Sequence, residues 1–257
     1  MPTSAARYNL NRDKKVLGKQ WLSTYGRYFS DQENIRLFIK AVKPFLPNRE
    51  LNILYIAAAS GLLGESLIAD LGRGRLTITD ISQKHLAENK NIKTRKIRVD
   101  LLEMNLGCRF DLVIMRSSLD YFSSRALQIK ALKVVKKHLG PGGLFVNQPA
   151  YIPRRRTRDT ISAIYNQTSK IGNRFFQSAD MAEIYAAAGF HQPKKIGTGK
   201  TMIITENDHI KRYGLNPADV QKIRKIIGRG TTSGRKTKTG YALTFKFPIF
   251  LVRAKKK

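Results

Sequence analysis

Short apolar segments alternate with helical segments between residues 51 and 148, and this alternation constrains the fold more than any other feature. Five apolar segments read as strands, at residues 51–57, 75–80, 95–99, 110–115 and 144–146. Helical patterns fill three of the intervals, at residues 62–71, from Ser82 to about residue 89, and from about residue 123 to residue 138. Strands and helices that alternate in this way form βαβ units around a parallel sheet with helices on both faces. The sequence therefore predicts a doubly wound α/β fold.

The first strand runs into a cluster of small residues, 57–61, before the helix at 62–71. A strand that enters a helix through such a turn presents backbone N–H groups to a ligand. The second strand ends at Asp80, about 20 residues further on. A carboxylate at that strand end can accept hydrogen bonds from both hydroxyls of a ribose. The pair predicts a site for a nucleoside.

The C-terminal part differs in composition from the alternating segment. We expect helices at 179–188 and 218–227, a sixth strand at 193–197, and a last strand at 244–252 that Pro248 interrupts. Residues 202–205 either extend the sixth strand or pair separately. Residues 228–240 are rich in Gly, Thr, Lys and Arg and read as a flexible basic loop.

The N-terminal part is basic and poor in apolar residues up to residue 20. Trp21, Tyr25, Tyr28 and Phe29 then fall on one face of a helix. This aromatic stripe is either a lid over a ligand pocket or a core face that packs on the sheet. We divide the chain into an extension at 1–34 and a main domain at 35–257 with insertions at about 150–172 and 206–240.

Several classes of protein are disfavoured by composition. A single cysteine, Cys108, excludes an internal disulfide framework and fits a reducing compartment. No apolar run is long enough to span a bilayer, and the N-terminus lacks an apolar signal segment, so we expect a cytoplasmic protein without membrane contact. The 4 histidines show no ligand spacing, and we expect no metal site. Nothing in the sequence indicates an oligomeric state.

The charge balance is strongly basic. Lys and Arg number 48 against 18 Asp and Glu, a formal net charge of +30. Such a surface attracts polyanions, and RNA is the obvious partner. A proteome rich in lysine would give the same balance without RNA binding, and both interpretations stay open here.

Five segments in this order resemble class I S-adenosylmethionine-dependent methyltransferases. They are ILYIAAASGLL at 53–63, TDIS at 79–82, VD at 99–100, FDLVI at 110–114 and LGPGG at 139–143. A sixth segment, FQSADMAEIYAAAGF at 176–190, resembles the helix before strand six in members that act on small molecules. The resemblance covers roughly residues 35–205 and the last strand. It implies a Rossmann-like, mostly parallel seven-stranded sheet whose last strand is antiparallel.

The resemblance also implies S-adenosyl-L-methionine as cofactor. The positions it assigns to cofactor binding are Ala57, Ala59, Ser60, Gly61, Asp80, Ile81, Asp100, Leu101 and Arg116. Here the chain departs from the family pattern, which has an acidic residue at the position of Tyr55 and glycines at those of Ala57 and Ala59. Alanine disfavours positive φ and adds a methyl group near the ligand. An NAD site is the weaker alternative, because a pyrophosphate presses on the backbone at the first two glycines.

Methyl transfer requires little from side chains except that they align the nucleophile and exclude water. Residues after strands four and five face the crevice at the carboxyl edge of an open α/β sheet. Asp120 and Tyr121 are candidates for positioning the acceptor or taking its proton, and Ser117, Asn147 and Tyr151 for binding it. The structural alternatives are helix capping by Asp120 and plain packing of Tyr121.

Two functions are compatible with these sequence features. The first is an enzyme that methylates a small molecule or RNA. The second is a methyltransferase-like protein without catalysis that binds RNA or a ribonucleoprotein through its basic surface. The departures at Tyr55, Ala57 and Ala59 support the second.

Overall fold

The computed structural model describes residues 25–152, 155–169, 175, 178–228, 234–238 and 240–255. The strands are β1 (Asn52–Ile56), β2 (Arg75–Asp80), β3 (Arg95–Arg98), β4 (Phe110–Arg116), β5 (Leu139–Gln148), β6 (Lys194–Thr198), β7 (Met202–Thr205), β8 (Gly234–Thr237), β9 (Gly240–Phe245) and β10 (Pro248–Arg253). The α-helices are α1 (Tyr25–Ser30), α2 (Gln32–Val42), α3 (Leu62–Leu71), α4 (Gln83–Glu88), α5 (Arg125–Lys137), α6 (Arg155–Ser169), α7 (Ser178–Ala187), α8 (Glu206–Tyr213) and α9 (Pro217–Gly228). Short 3₁₀ turns occur at Lys43–Phe45, Leu101–Glu103 and Leu119–Tyr121.

The larger sheet has seven strands in the order β3-β2-β1-β4-β5-β10-β6. The pairs among β1 to β5 are parallel, whereas β10 is antiparallel to both β5 and β6. This arrangement confirms the predicted doubly wound, mostly parallel sheet with an antiparallel last strand. Because β1 lies between β2 and β4, the residues that follow these three strands meet at one edge of the sheet.

Helices cover both faces of this sheet. One face packs against α2, α3 and α4 through buried residues that include Phe38, Leu67 and Leu86. The other face packs against α5 and α7 through residues that include Leu132 and Tyr185. The period of two along each strand sends alternate side chains to the two faces, and both are buried, which explains the continuous apolar runs in the sequence.

The C-terminal part builds a second sheet that the sequence did not predict. This three-stranded sheet has the antiparallel order β7-β9-β8. The predicted flexible loop at 228–240 is therefore wrong over residues 234–237, which form β8. Residues 202–205 pair with β9 and do not extend β6, which confirms one of the two alternatives.

The predicted last strand at 244–252 is two strands in two different sheets. Residues up to Phe245 pair with β7, whereas residues from Pro248 onward pair with β5 and β6. Proline has no N–H to donate to a sheet ladder, and here it marks the point where the chain passes between sheets. Helix α8 was not predicted, although Thr205 and Asp208 form a capping box at its start.

The second sheet and helices α6, α8 and α9 share a core of their own. Its buried members include Ile164, Tyr165, Ile204, Ile223 and Leu243. Segments near residues 152, 215 and 245 therefore come together, although they are far apart in the chain. Tyr28 and Phe29 of α1 pack against Phe247, with ring centroids 5.1 and 5.4 Å apart. Trp21 lies outside the described residues.

No helix in the described ranges combines the length and the apolar character that crossing a bilayer requires.

A buried histidine gives the second core a pH dependence. His209 is fully buried, and its Nδ1 lies 2.9 Å from the Tyr241 hydroxyl. Burial is the largest cause that lowers the pKa of His209, the Arg212 charge adds to it and the Asp208 charge opposes them, and together they bring this pKa to about 3. An unfolded imidazole takes up a proton below about pH 6.5, whereas the folded one stays neutral until about pH 3. The unfolded state then binds more protons, so stability falls as the pH drops through this window.

We expect the variant His209→Asn to lose this component of the acid sensitivity. Between pH 6.5 and 4.5 the wild type should lose about 2–3 kcal/mol more of its free energy of unfolding than the variant. Urea unfolding at a series of pH values measures the difference. The exposed His191, changed to Gln, is the control and should keep the wild-type profile. Parallel profiles for the wild type and His209→Asn would contradict a buried neutral imidazole.

Candidate active site

The turn after β1 holds three residues in the left-handed region. Ala57 has φ 50°, Ala59 has φ 51° and Gly61 has φ 76°. Gly61 also has no room for a side chain, because a Cβ there would lie 3.0 Å from Ile78. The conformation that glycines usually provide is thus kept by alanines at two positions. Each alanine costs roughly 1–2 kcal/mol, since the left-handed region brings Cβ close to the following carbonyl.

Asp80 fixes this turn against the end of β2. Its Oδ2 accepts a hydrogen bond of 2.9 Å from the Ala59 N–H, and its Oδ1 accepts one of 2.8 Å from the Ser82 N–H. His85 Nδ1 lies 3.7 Å from Oδ1. The residue is only 8% exposed. A carboxylate has about four lone-pair sites, so two remain for donors of a ligand.

Further contacts connect the turn to the neighbouring strands. Asn89 donates to the Ser60 carbonyl at 2.8 Å and to Glu65 at 3.0 Å. Glu65 also accepts from Asn91 and Thr94. Burial raises the pKa of Glu65, but these hydrogen bonds outweigh it and hold that pKa below its ordinary value. Neither Glu65 nor Asn89 was predicted as a site residue, because neither belongs to a sequence motif.

The residues after β2 and β3 complete this side of the edge. The Ile81 carbonyl accepts from Arg98 Nε at 3.3 Å. Asp100 Oδ1 accepts from the Leu102 N–H at 2.9 Å and starts the 3₁₀ turn that contains Leu101. Because β2 and β3 are parallel neighbours, Asp80 and Asp100 follow adjacent strand ends. The structure therefore brings the predicted cofactor residues to one edge.

Arg116 ends β4 on the other side of β1. It is 5% exposed, its Nε donates to Gln148 Oε1 at 2.7 Å, and its Nη1 donates to the Phe29 carbonyl at 3.2 Å. Tyr55 lies close to it within β1. Burial raises the pKa of Tyr55, and the Arg116 charge opposes that rise. The family's acidic position thus holds a phenol, and a guanidinium lies beside it.

A narrow crevice lies between the end of β4 and the second sheet. Its lining combines a few polar groups with many aromatic rings, namely Ser117, Asp120, Tyr121, Ala150, Tyr165, Phe175, Met202, Phe245 and Phe247. As it stands, the crevice has about the space of one water molecule. Ser117 has φ 44°. A non-glycine residue held in this region stores roughly 1–3 kcal/mol of strain, a feature common at functional sites.

Asp120 and Tyr121 both line this crevice. Asp120 is 3% exposed and is not the cap of α5, because Ser124 occupies that position and accepts from the Leu127 N–H. The Tyr121 hydroxyl accepts a hydrogen bond of 3.1 Å from Arg212 Nη2. Arg212 is buried and reaches across from α8. The sequence offered no signal for Arg212, since it belongs to a helix that was not predicted.

Asn147 and Tyr151 do not line the crevice. The Asn147 amide donates to the Tyr185 hydroxyl at 2.6 Å, on the face covered by α7. Tyr151 packs against Phe250, with ring centroids 5.9 Å apart. Their assignment to acceptor binding stays a prediction.

The two alanines of the turn generate a stability prediction. We expect Ala57→Gly and Ala59→Gly each to raise the free energy of unfolding by about 0.5–1 kcal/mol, because relief of the left-handed strain exceeds the added entropy of the unfolded chain. Ala58 lies between them outside the positive-φ region, so Ala58→Gly is the matched control and should be destabilising. Chemical denaturation of the three variants measures this. A loss of stability in all three would contradict the turn geometry.

Comparison with known proteins agrees with this geometry. The family described as "Methyltransferase domain" matches residues 54–145, which include the end of β1, the turn, Asp80, Asp100 and β4. The search of the curated proteins gave no match.

Solved structures show the same fold. A putative methyltransferase from Bacillus halodurans superposes with a TM-score of 0.70 at 13% identity, covering 86% of this chain and 99% of that one. The YcgJ protein from Bacillus subtilis gives 0.68 at 15% identity, covering 87% and 98%. The 1,6-didemethyltoxoflavin-N1-methyltransferase from Burkholderia thailandensis, with its substrate and S-adenosylhomocysteine bound, gives 0.56 at 13% identity, covering 100% and 92%.

The strand order, the turn with its two strand-end acids and the matched domain thus lead to one assignment. Residues 54–145 match the methyltransferase family, and the chain has the fold of solved methyltransferases.

Proposed function

We propose that this protein transfers the methyl group of S-adenosylmethionine to a small molecule bound in the aromatic crevice. The main support for this proposal is the position of the crevice. It lies beside the end of β4, at the same sheet edge as the turn and Asp80. A cofactor along this edge would lie next to an acceptor in the crevice.

The residues at the edge fit the cofactor. Asp80 keeps acceptor capacity for the ribose hydroxyls, and the resemblance assigns Asp100 to the adenine. Ala57 is exposed and left-handed, so the turn is accessible to a ligand at this residue. When bound, the sulfonium cofactor supplies an activated methyl group, and the protein has to align the acceptor and keep water out.

Two side chains of the crevice could orient the acceptor or take up its proton. The Asp120 carboxylate is buried at the sheet side, where it can orient an N–H or O–H group and take up its proton. The Tyr121 hydroxyl is held in place by the hydrogen bond from Arg212. The aromatic rings supply flat apolar walls, which favour a small planar acceptor. The Burkholderia thailandensis methyltransferase has 1,6-didemethyltoxoflavin bound.

The closed crevice implies movement. It has room for about one water molecule, so an acceptor enters only when the second sheet and helix α6 move away from the end of β4. Closure over the bound acceptor would then exclude water from the reaction.

Cofactor binding is tested by calorimetric titration with S-adenosylmethionine and S-adenosylhomocysteine. We expect Asp80→Ala to weaken binding by roughly 1.5–3 kcal/mol, because it removes the charged acceptor for the ribose hydroxyls. Asp70→Ala is the control, since Asp70 pairs with Lys43 on the surface and should leave the affinity unchanged. If the folded wild type gives no binding heat, the enzyme assignment of this site is refuted.

The acceptor class is tested with cofactor labelled on its methyl group. We expect label in the low-molecular-mass fraction of a cell extract, and about 100-fold less with Asp120→Asn if Asp120 takes up the proton. Tyr121→Phe keeps the ring and should have a smaller effect. S-adenosylhomocysteine affinity should stay unchanged in both variants. Label that appears only in RNA would overturn the small-molecule proposal.

RNA remains the second candidate, on the strength of the net charge of +30. Exposed basic residues in and directly after β8, such as Lys236 and Lys238, would contact phosphates. Binding of this kind weakens steeply as salt rises, so RNA binding measured over a salt series decides whether the basic surface is used.

A further inference from the structure

One outer edge of the larger sheet carries a concentration of positive charge. β3 is the end strand there, and residues 90–98, which include it, have five Lys or Arg and no Asp or Glu. Four of these cations are exposed, and we call them the basic edge: Lys90, Lys93, Arg95 and Arg98. None of the ion pairs between described residues includes a member of the basic edge.

The nearby acids do not neutralise this charge. Glu65 accepts hydrogen bonds from the loop that precedes β3, and the charge that acts on it is that of Lys96. Glu88, at the end of α4, is the one acid between residues 82 and 98. Lys90 and Arg98 donate to backbone carbonyls, which are neutral. The basic edge therefore keeps its positive charge at the surface.

The kind of partner follows from the side chains of the edge strand. An end strand can pair with a strand of another protein, but charged side chains along it discourage such pairing. The charge of the whole chain is also positive, at +30. A field of one sign over the whole molecule favours a long polyanion. Nucleic acid is therefore the better match to the basic edge than an acidic protein.

The absence of aromatic residues indicates which form of nucleic acid is bound. Residues 81–100 contain no Phe, Trp or Tyr. Proteins that bind single strands stack the bases on aromatic rings, and this surface has none to offer. Lys and Arg side chains that contact phosphates position a protein on a duplex without reading its sequence. A duplex, whose bases are already stacked, is thus the form that the basic edge can bind.

We infer that the basic edge binds the phosphate backbone of a nucleic-acid duplex. β1 and β2 separate β3 from β4, so this surface is distinct from the aromatic crevice beside the end of β4. A duplex bound here would leave the crevice free. The inference goes beyond the proposed function and does not depend on the acceptor. RNA and DNA duplexes share the phosphate chemistry, and the experiment includes both.

The test is fluorescence anisotropy with short labelled RNA and DNA duplexes over a salt series. The wild type should bind duplexes of unrelated sequence with similar affinity, and binding should weaken steeply between about 50 and 200 mM salt. The triple variant Lys90→Gln/Lys93→Gln/Arg95→Gln should lose at least about 10-fold in affinity at the lower salt concentration. Its slope of log K against log salt should be shallower by about 3, because three phosphate contacts are removed.

Two further variants distinguish local contacts from net charge. Lys133→Gln/Lys195→Gln/Lys222→Gln removes the same charge from exposed positions on α5, β6 and α9. It should change the affinity by less than about 3-fold, since salt screens distant charges. Lys90→Arg/Lys93→Arg/Arg95→Lys keeps the charge of the basic edge and should bind as the wild type does. Urea unfolding of each variant checks that it is folded.

Several outcomes would overturn the inference. They are no binding of either duplex by the wild type, an equal loss in the two Gln triple variants, and tighter binding of a single strand than of the duplex with the same sequence. Loss of binding in Lys236→Gln/Lys238→Gln, with the basic edge variant unaffected, would also overturn it, because β8 would then hold the duplex. Tighter binding of RNA or of DNA supports the inference in either case and identifies the source of the phosphates.

Discussion

The hydrogen bond from the Ala59 N–H to Asp80 is the contact on which the rest of the site depends. It joins the turn after β1 to the end of β2, and the second oxygen of Asp80 joins the start of α4 through Ser82. A single buried carboxylate thus satisfies donors from two loops that would otherwise be unpaired. The same group keeps lone pairs for a ligand. One side chain therefore joins two loops and keeps acceptor capacity at the sheet edge.

This contact exists only because the turn adopts an unusual backbone conformation. Ala57 and Ala59 are left-handed, although alanine disfavours that region. The parallel register of β1 with β2 brings the two strand ends level, and the resulting hydrogen bonds hold the turn. Strain in the turn is thereby offset by the packing around it, as is common at functional sites. The alanines are thus compatible with a ligand-binding turn.

The site has opposite charges at its two ends. Asp80 and Asp100 follow β2 and β3, whereas Arg116 follows β4, and Tyr55 lies between them in β1. The aromatic crevice begins beside the end of β4, and its walls come from residues as far apart as Ser117 and Phe247.

Much of the larger sheet was predictable from the sequence. Buried parallel strands require continuous apolar runs, and turns require small residues, so the strands of this sheet and the acids Asp80 and Asp100 at their ends followed from local patterns. The second sheet was not predictable in this way. The basic, glycine-rich β8 becomes a strand only through pairing with β9, and its predicted loop was wrong for that reason.

The sequence by itself determined the class of fold and the acids at the ends of the second and third strands, because strand periodicity and strand-end residues are local properties. Only the tertiary structure decided that both alanines are left-handed, that Arg116 is buried without an acidic partner among the described residues, and that Arg212 reaches Tyr121. These features depend on contacts between segments far apart in the chain. Such contacts arise from packing, which no local pattern records.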